Sequence, residues 1–157
     1  PGAVAAYPMY RGLAKLVGMK VIPTGRTFDD ELDTLEQNFD NHDFFFLHYK
    51  PADAAGEDGD FDAKVARLEE LDARIPRLRS LNPDVLVVAG DHATPAIMAG
   101  HSWHPVPVMI NSALTIGDGA PAFHERACAE GSLGRLPATE LMLLAMAHAG
   151  KLVKYGP

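Results

Sequence analysis

A chain of 157 residues suits one ordinary domain with a core of its own, and 47% hydrophobic with 22% charged residues exclude intrinsic disorder. No apolar stretch approaches the roughly 18 residues of a membrane span. Fourteen basic against 21 acidic side chains give a net charge of −7, which excludes an electrostatic grip on nucleic acid or on an anionic membrane; a phosphate-handling chain of this charge needs cations.

Met9, Leu13, Leu16 and Val17 fall at helical spacing and Gly18 follows as a stop, predicting a helix over Met9–Val17. Met19–Ile22 reads as a short strand. Asp29 is the expected cap of a second helix that carries Asp30 and Glu31 in its first turn and runs through Leu32, Leu35 and Phe39 to about Asn41. The continuous apolar run Phe44–Leu47 suits a strand buried on both faces. Pro51–Asp60, rich in Ala, Gly and Asp, reads as a loop. Phe61 to Leu81 carries Val65, Leu68, Leu71 and Ile75 on one stripe, predicting a long amphipathic helix broken at Pro76. Val85–Val88 and Val106–Ile110 are further strands; Phe123–Glu130 and Thr139–Ala149 are further helices. Met9, Met142 and Met146 are expected in the core. Apolar strands separated by helices predict an α/β fold, a mostly parallel sheet with helices on both faces.

In such sheets ligand groups gather beyond the carboxyl ends of the strands. His48, Lys50, Asp53 and Glu57 follow the Phe44–Leu47 strand, Asp91 and His92 follow Val85–Val88, and His101 precedes Val106–Ile110. Carboxylates with imidazoles form a donor set for Zn or Mn, and paired aspartates also suit Mg. Each group also has a plainer reading. Asp91 suits a helix cap in a turn, Asp53 and Glu57 suit a solvated acidic loop, and His101 suits a polar loop. Their shared location, at one end of the strands, favours a metal site. Cys128, the single cysteine, has no local partner, and no signal or transit segment precedes the first apolar residues, so a reducing cytoplasm is expected.

Longer motifs carry a resemblance. His48-Tyr49-Lys50-Pro51-Ala52-Asp53, followed by Glu57 and Phe61, resembles the segment before the long helix of archaeal-type cofactor-independent phosphoglycerate mutases. Ala89-Gly90-Asp91-His92-Ala93-Thr94-Pro95, then His101 and Pro105-Val106-Pro107-Val108, is similar to their second metal motif and the strand after it. Phe123-His124-Glu125, Gly131 to Arg135 and Lys154-Tyr155-Gly156 are similar to their closing segments, so the resemblance runs from about Gly2 to Gly156.

The resemblance implies an alkaline-phosphatase-like metalloenzyme, an isomerase of glycolysis and gluconeogenesis. Two divalent ions, Mn or Zn, would activate a serine that moves the phosphoryl group between 3- and 2-phosphoglycerate. It further implies that Asp53 and His101 hold one metal and Asp91 and His92 the other, with Lys50, and more weakly Arg11, meeting the anionic substrate.

The chain departs from the family pattern twice. Glu57 stands where the family has histidine; a carboxylate there favours Mn or Mg over Zn, or the site is weakened or empty. The nucleophilic serine is matched by none of Ser80, Ser102, Ser112 or Ser132. The chain starts at Pro1 rather than Met, about where the family's metal-binding half resumes after an insertion domain, so the expectation is a carboxyl-terminal piece that lacks the nucleophile. Such a piece would expose a strand edge, associate as a homo-oligomer and turn over little or no substrate. Two other readings stand beside this one: a phosphatase, phosphopentomutase or sulfatase of the same group, and a metal-binding or assembly module without catalysis.

Overall fold

The computed structural model describes residues 1–152; the Lys154-Tyr155-Gly156 motif lies outside the described residues. Three parallel strands, β1 (Gly2–Val4), β2 (Lys20–Val21) and β3 (Phe45–Leu47), lie in the order β2-β1-β3. The expected class, a largely parallel α/β fold with flanking helices, is therefore present. The central strand β1 is wholly buried although it holds only Gly2, Ala3 and Val4. Small residues are needed there: a Cβ on Gly2 would come within 2.9 Å of the His42 ring and 3.0 Å of the Phe45 ring.

The helix α1 (Pro8–Leu16) joins β1 to β2, with Pro8 suited to its first turn. The helix α2 (Phe28–Asn38) joins β2 to β3. Its cap is Thr27 rather than the expected Asp29. The Thr27 hydroxyl accepts from the Asp30 N–H, and the Asp30 carboxylate accepts from the Thr27 N–H, a reciprocal pair that starts the helix earlier than charge alone suggests.

Alternation along β3 assigns each helix to one face of the sheet. Phe45 and Leu47 pack against the core of Phe28, Leu32, Leu35 and Leu78. Phe46 and His48 instead stack on Tyr10 of α1, with ring centroids 6.3 and 3.5 Å away.

The segment read as a loop contains a helix, α3 (Pro51–Glu57). Its Ala- and Gly-rich composition serves close packing: a Cβ on Gly56 would collide with the Thr94 carbonyl oxygen. The expected long helix is divided into α4 (Phe61–Asp72) and α5 (Ile75–Ser80). The break falls at Ala73–Arg74, ahead of Pro76, which occupies the first turn of α5. Asp60 caps α4 by accepting from the Ala63 N–H at 2.9 Å. Leu71, Ile75 and Leu78 bring the end of this hairpin onto the α2 core, while Val65 and Leu68 remain exposed.

The strands β4 (Val85–Ala89) and β5 (Val108–Ser112) pair antiparallel, Val87 opposite Ile110, in a ladder separate from the three-stranded sheet. The later strand thus begins after Pro107 rather than at Val106, because proline cannot donate to a ladder. The short α6 (Glu125–Ala129) and α7 (Leu141–His148) complete the described chain. Met9, Met142 and Met146, expected in the core, are exposed, since nothing described covers α1 or α7 on those sides. No described helix is long and apolar enough to cross a membrane.

Candidate metal centre

Two stretches of chain converge beyond β3 and β4. Lys50 ends the β3 exit and α3 begins at once, so Asp53 and Glu57, four residues apart, share one helical face. After β4, the chain turns through Gly90 into Asp91 and His92. An antiparallel bridge between Ala93 and Ser102 then folds the intervening residues back, with the Ser102 N–H donating to the Ala93 carbonyl at 2.9 Å. That bridge lays the His101 ring on the His92 ring at 3.7 Å between centroids.

Asp53, His92 and His101 each offer a donor atom, and these atoms lie within 4.8 Å of one another. His101 Nε2 is 3.8 Å from Asp53 Oδ1 and 3.3 Å from Glu57 Oε1. His92 Nδ1 is 3.7 Å from Asp53 Oδ1, and its Nε2 is 3.7 Å from Asp91 Oδ2. Mixed carboxylate and imidazole donors around one small space are a set that could hold a divalent cation. Lys50 forms an ion pair with Asp53 and holds Glu57 Oε2 at 3.2 Å, so its ammonium supplies the positive charge the acids require.

Electrostatics agree with that balance. Burial raises the Asp53 carboxyl, yet hydrogen bonds from Lys50 and Thr94 outweigh it and hold the group below the usual carboxylate range. Asp91 behaves alike: burial raises it, and the Tyr10 hydroxyl, donating to Oδ2 at 2.6 Å, brings it down. Tyr10 itself is pushed up to about 12 by burial and by that bond to Asp91.

Of the residues singled out from the sequence, Asp53, Glu57, Asp91, His92, His101 and Lys50 are brought together. His48 lies beside them rather than among the donors: its ring stacks on Tyr10, which holds Asp91, and burial lowers its pKa. Arg11 lies on α1 and makes no ion pair or hydrogen bond among the described residues. Two participants carried no sequence signal, because hydroxyls are not metal-type ligands by spacing. One is Tyr10. The other is Thr94, 4% exposed, whose Oγ1 lies 2.5 Å from Asp53 Oδ1 and 3.0 Å from His92 Nδ1. Lys64 of α4 donates to the Thr94 carbonyl and anchors this loop.

Comparison with known proteins follows the same lines. A probable 2,3-bisphosphoglycerate-independent phosphoglycerate mutase of Thermotoga petrophila is 55% identical over 155 residues, which are 99% of this chain and 39% of that protein. Its counterpart in Thermus thermophilus is 50% identical over 159 residues, with the same coverage. Among solved structures, a Pyrococcus horikoshii protein matches with a TM-score of 0.93 at 28% identity, over 99% of this chain and 50% of that one. The cofactor-independent phosphoglycerate mutase of Thermoplasma acidophilum shares the fold, with a TM-score of 0.73 at 24% identity over 95% of this chain and 36% of that one. The chain thus spans about two fifths of the length of the curated relatives it matches. The family model described as the metalloenzyme superfamily matches residues 5–148, so the chain belongs to that superfamily.

Proposed function

We propose that this chain is the carboxyl-terminal part of the metal-binding catalytic domain of a 2,3-bisphosphoglycerate-independent phosphoglycerate mutase, interconverting 3- and 2-phosphoglycerate through a phosphoserine. The observation that carries the reading is the gathering of two neighbouring donor groups, Asp53 and Glu57 about His101 Nε2 and Asp91 beside His92 Nε2. Asp53, Glu57 and His101 hold one divalent cation, and Asp91 and His92 contribute to the other. Bound cations neutralise phosphoryl oxygens and lower the pKa of an attacking hydroxyl.

The remaining work falls to the chain's own side chains. Lys50 neutralises Asp53 and Glu57; with those acids engaged by a divalent cation, its ammonium would be free to meet the phosphate or carboxylate of phosphoglycerate. Arg11 is the second candidate for that substrate. The hydroxyls inside the cluster, those of Thr94 and Tyr10, are each engaged by a carboxylate of the cluster, Asp53 and Asp91, and on this reading the nucleophile is a serine outside this chain. Glu57 in place of an imidazole shifts selectivity toward Mn and Mg. Among the described residues both outer strands, β2 and β3, have an unpaired edge, which supports association of copies into a homo-oligomer.

A segment exchange tests the function. These residues, placed in the Thermotoga petrophila relative in exchange for the segment they match, should yield 2-phosphoglycerate from 3-phosphoglycerate with Mn2+ present, whereas the 157-residue chain alone should yield none. Release of inorganic phosphate instead would support a phosphatase, and an inert but folded hybrid would contradict the assignment.

A further inference from the structure

Thr94 joins the two groups of donors through a single hydroxyl. Its Oγ1 stands 2.5 Å from Asp53 Oδ1 and 3.0 Å from His92 Nδ1, in a residue that is almost wholly buried. A hydroxyl has one proton to give. The carboxylate competes for it better than the imidazole does, because a charged acceptor forms the stronger bond and Asp53 is the closer of the two. With that proton directed at Asp53, Thr94 offers His92 only lone pairs, so Nδ1 must carry hydrogen. In the neutral ring Nε2 is then left with its lone pair free, and it is Nε2 that lies 3.7 Å from Asp91 Oδ2.

We infer that Thr94 is a positioning residue that fixes His92 as the Nδ1–H tautomer, presents Nε2 as a metal donor beside Asp91, and ties that donor to Asp53 across the two cation positions. The inference deepens the metal-centre reading and rests on it. It also divides the cluster. His92 Nδ1 is near Asp53 and His101 but is occupied by Thr94, so His92 serves the Asp91 position and leaves the other cation to Asp53, Glu57 and His101. An imidazole that ligates a metal through one nitrogen commonly donates its other N–H to a fixed acceptor, and loss of such an acceptor costs roughly 10- to 100-fold in metal affinity. The surroundings hold Thr94 in place. The Lys64 ammonium binds its carbonyl, and Gly56 leaves the room that lets α3 approach it.

The test reads the tautomer directly. In long-range 1H–15N correlation spectra of the metal-free chain, His92, assigned by the signal lost in His92→Gln, should show a protonated Nδ1 and a bare Nε2. Thr94→Val, which keeps the shape and removes the hydroxyl, should move His92 toward the Nε2–H form and weaken Mn2+ binding roughly 10- to 100-fold by calorimetry; Thr94→Ser should restore both. A wild-type His92 protonated at Nε2, or a Thr94→Val chain whose His92 spectrum and Mn2+ affinity both match wild type, would overturn the inference. Failure of the wild-type chain to bind Mn2+ would instead remove the metal-centre reading, while the spectrum of the metal-free chain still decides the tautomer.

Discussion

The two faces of the β2-β1-β3 sheet are finished to different degrees. On one face, Phe28, Leu32 and Leu35 of α2 meet Leu78 of α5 and the Phe45 and Leu47 side chains of β3 in a closed core, with Leu32 only 1% exposed. On the other, α1 buries Tyr10 and Ala14 but leaves Met9, Leu13, Leu16 and Val17 in the open, Leu16 at 83%. Both helices have an apolar stripe, so the difference lies in what covers the stripe. The candidate metal centre draws on the open side: Tyr10, the residue through which α1 holds the sheet, also holds Asp91.

Changes on the closed face should be the most costly. Leu32→Ala should destabilise the fold by about 3–4 kcal/mol, read from chemical denaturation, because the cavity it leaves is walled on every side. A cost under about 1 kcal/mol would show that this core is looser than its packing indicates.

Glu31, on the same helix and 4% exposed, sharpens the contrast through pH. Burial raises its carboxyl to about 7 against the opposing effect of the Ala6 N–H, which donates to Oε1 at 2.5 Å. The fold therefore prefers the protonated acid. That preference costs nothing below the ordinary carboxyl range, grows as pH rises through 7, and is complete above it. Glu31→Gln should stabilise the chain by about 3 kcal/mol above pH 8, with the difference fading toward pH 4. A difference that stays constant with pH would place the charge in contact with water.

The smallest effect belongs to the open face. Leu16→Ser should change stability by under about 0.5 kcal/mol, since a side chain already in solvent has little burial to lose. A loss above about 2 kcal/mol in the chain as it exists in solution would reveal that something covers α1 there, a second copy being the first candidate.

The same contrast explains how much could be read in advance. Leucines and β-branched residues at period 3.6 or in short runs mark α1, α2, β3 and β4. Periodicity, however, reports that a face is apolar and not whether anything covers it, so Met9 and Leu16 look like core and are not. The central strand β1 is hard to read because it is only three residues long, its Gly2 must stay small beside the His42, Phe45 and Ile22 side chains, and Val4 alone carries a β signal. The helix α3 was hidden for a related reason. Gly56 and its alanine neighbours, chosen for close approach to Thr94, look like a loop.

At the candidate metal centre the aspartates and histidines beyond strand ends were legible as residue types that gather. The parts that orient them were not. Tyr10 is 81 residues from Asp91 in sequence, and Thr94 is 41 from Asp53. Such pairings emerge only once the chain has folded.

Calorimetric titration of the 157-residue chain with Mn2+, beside its Asp53→Asn variant, tests the central claim most directly. The account predicts saturable, stoichiometric binding that weakens at least about 100-fold when Asp53, the carboxylate shared by Lys50, Thr94 and the His101 side, loses its charge. Identical titrations of the two folded proteins would contradict it.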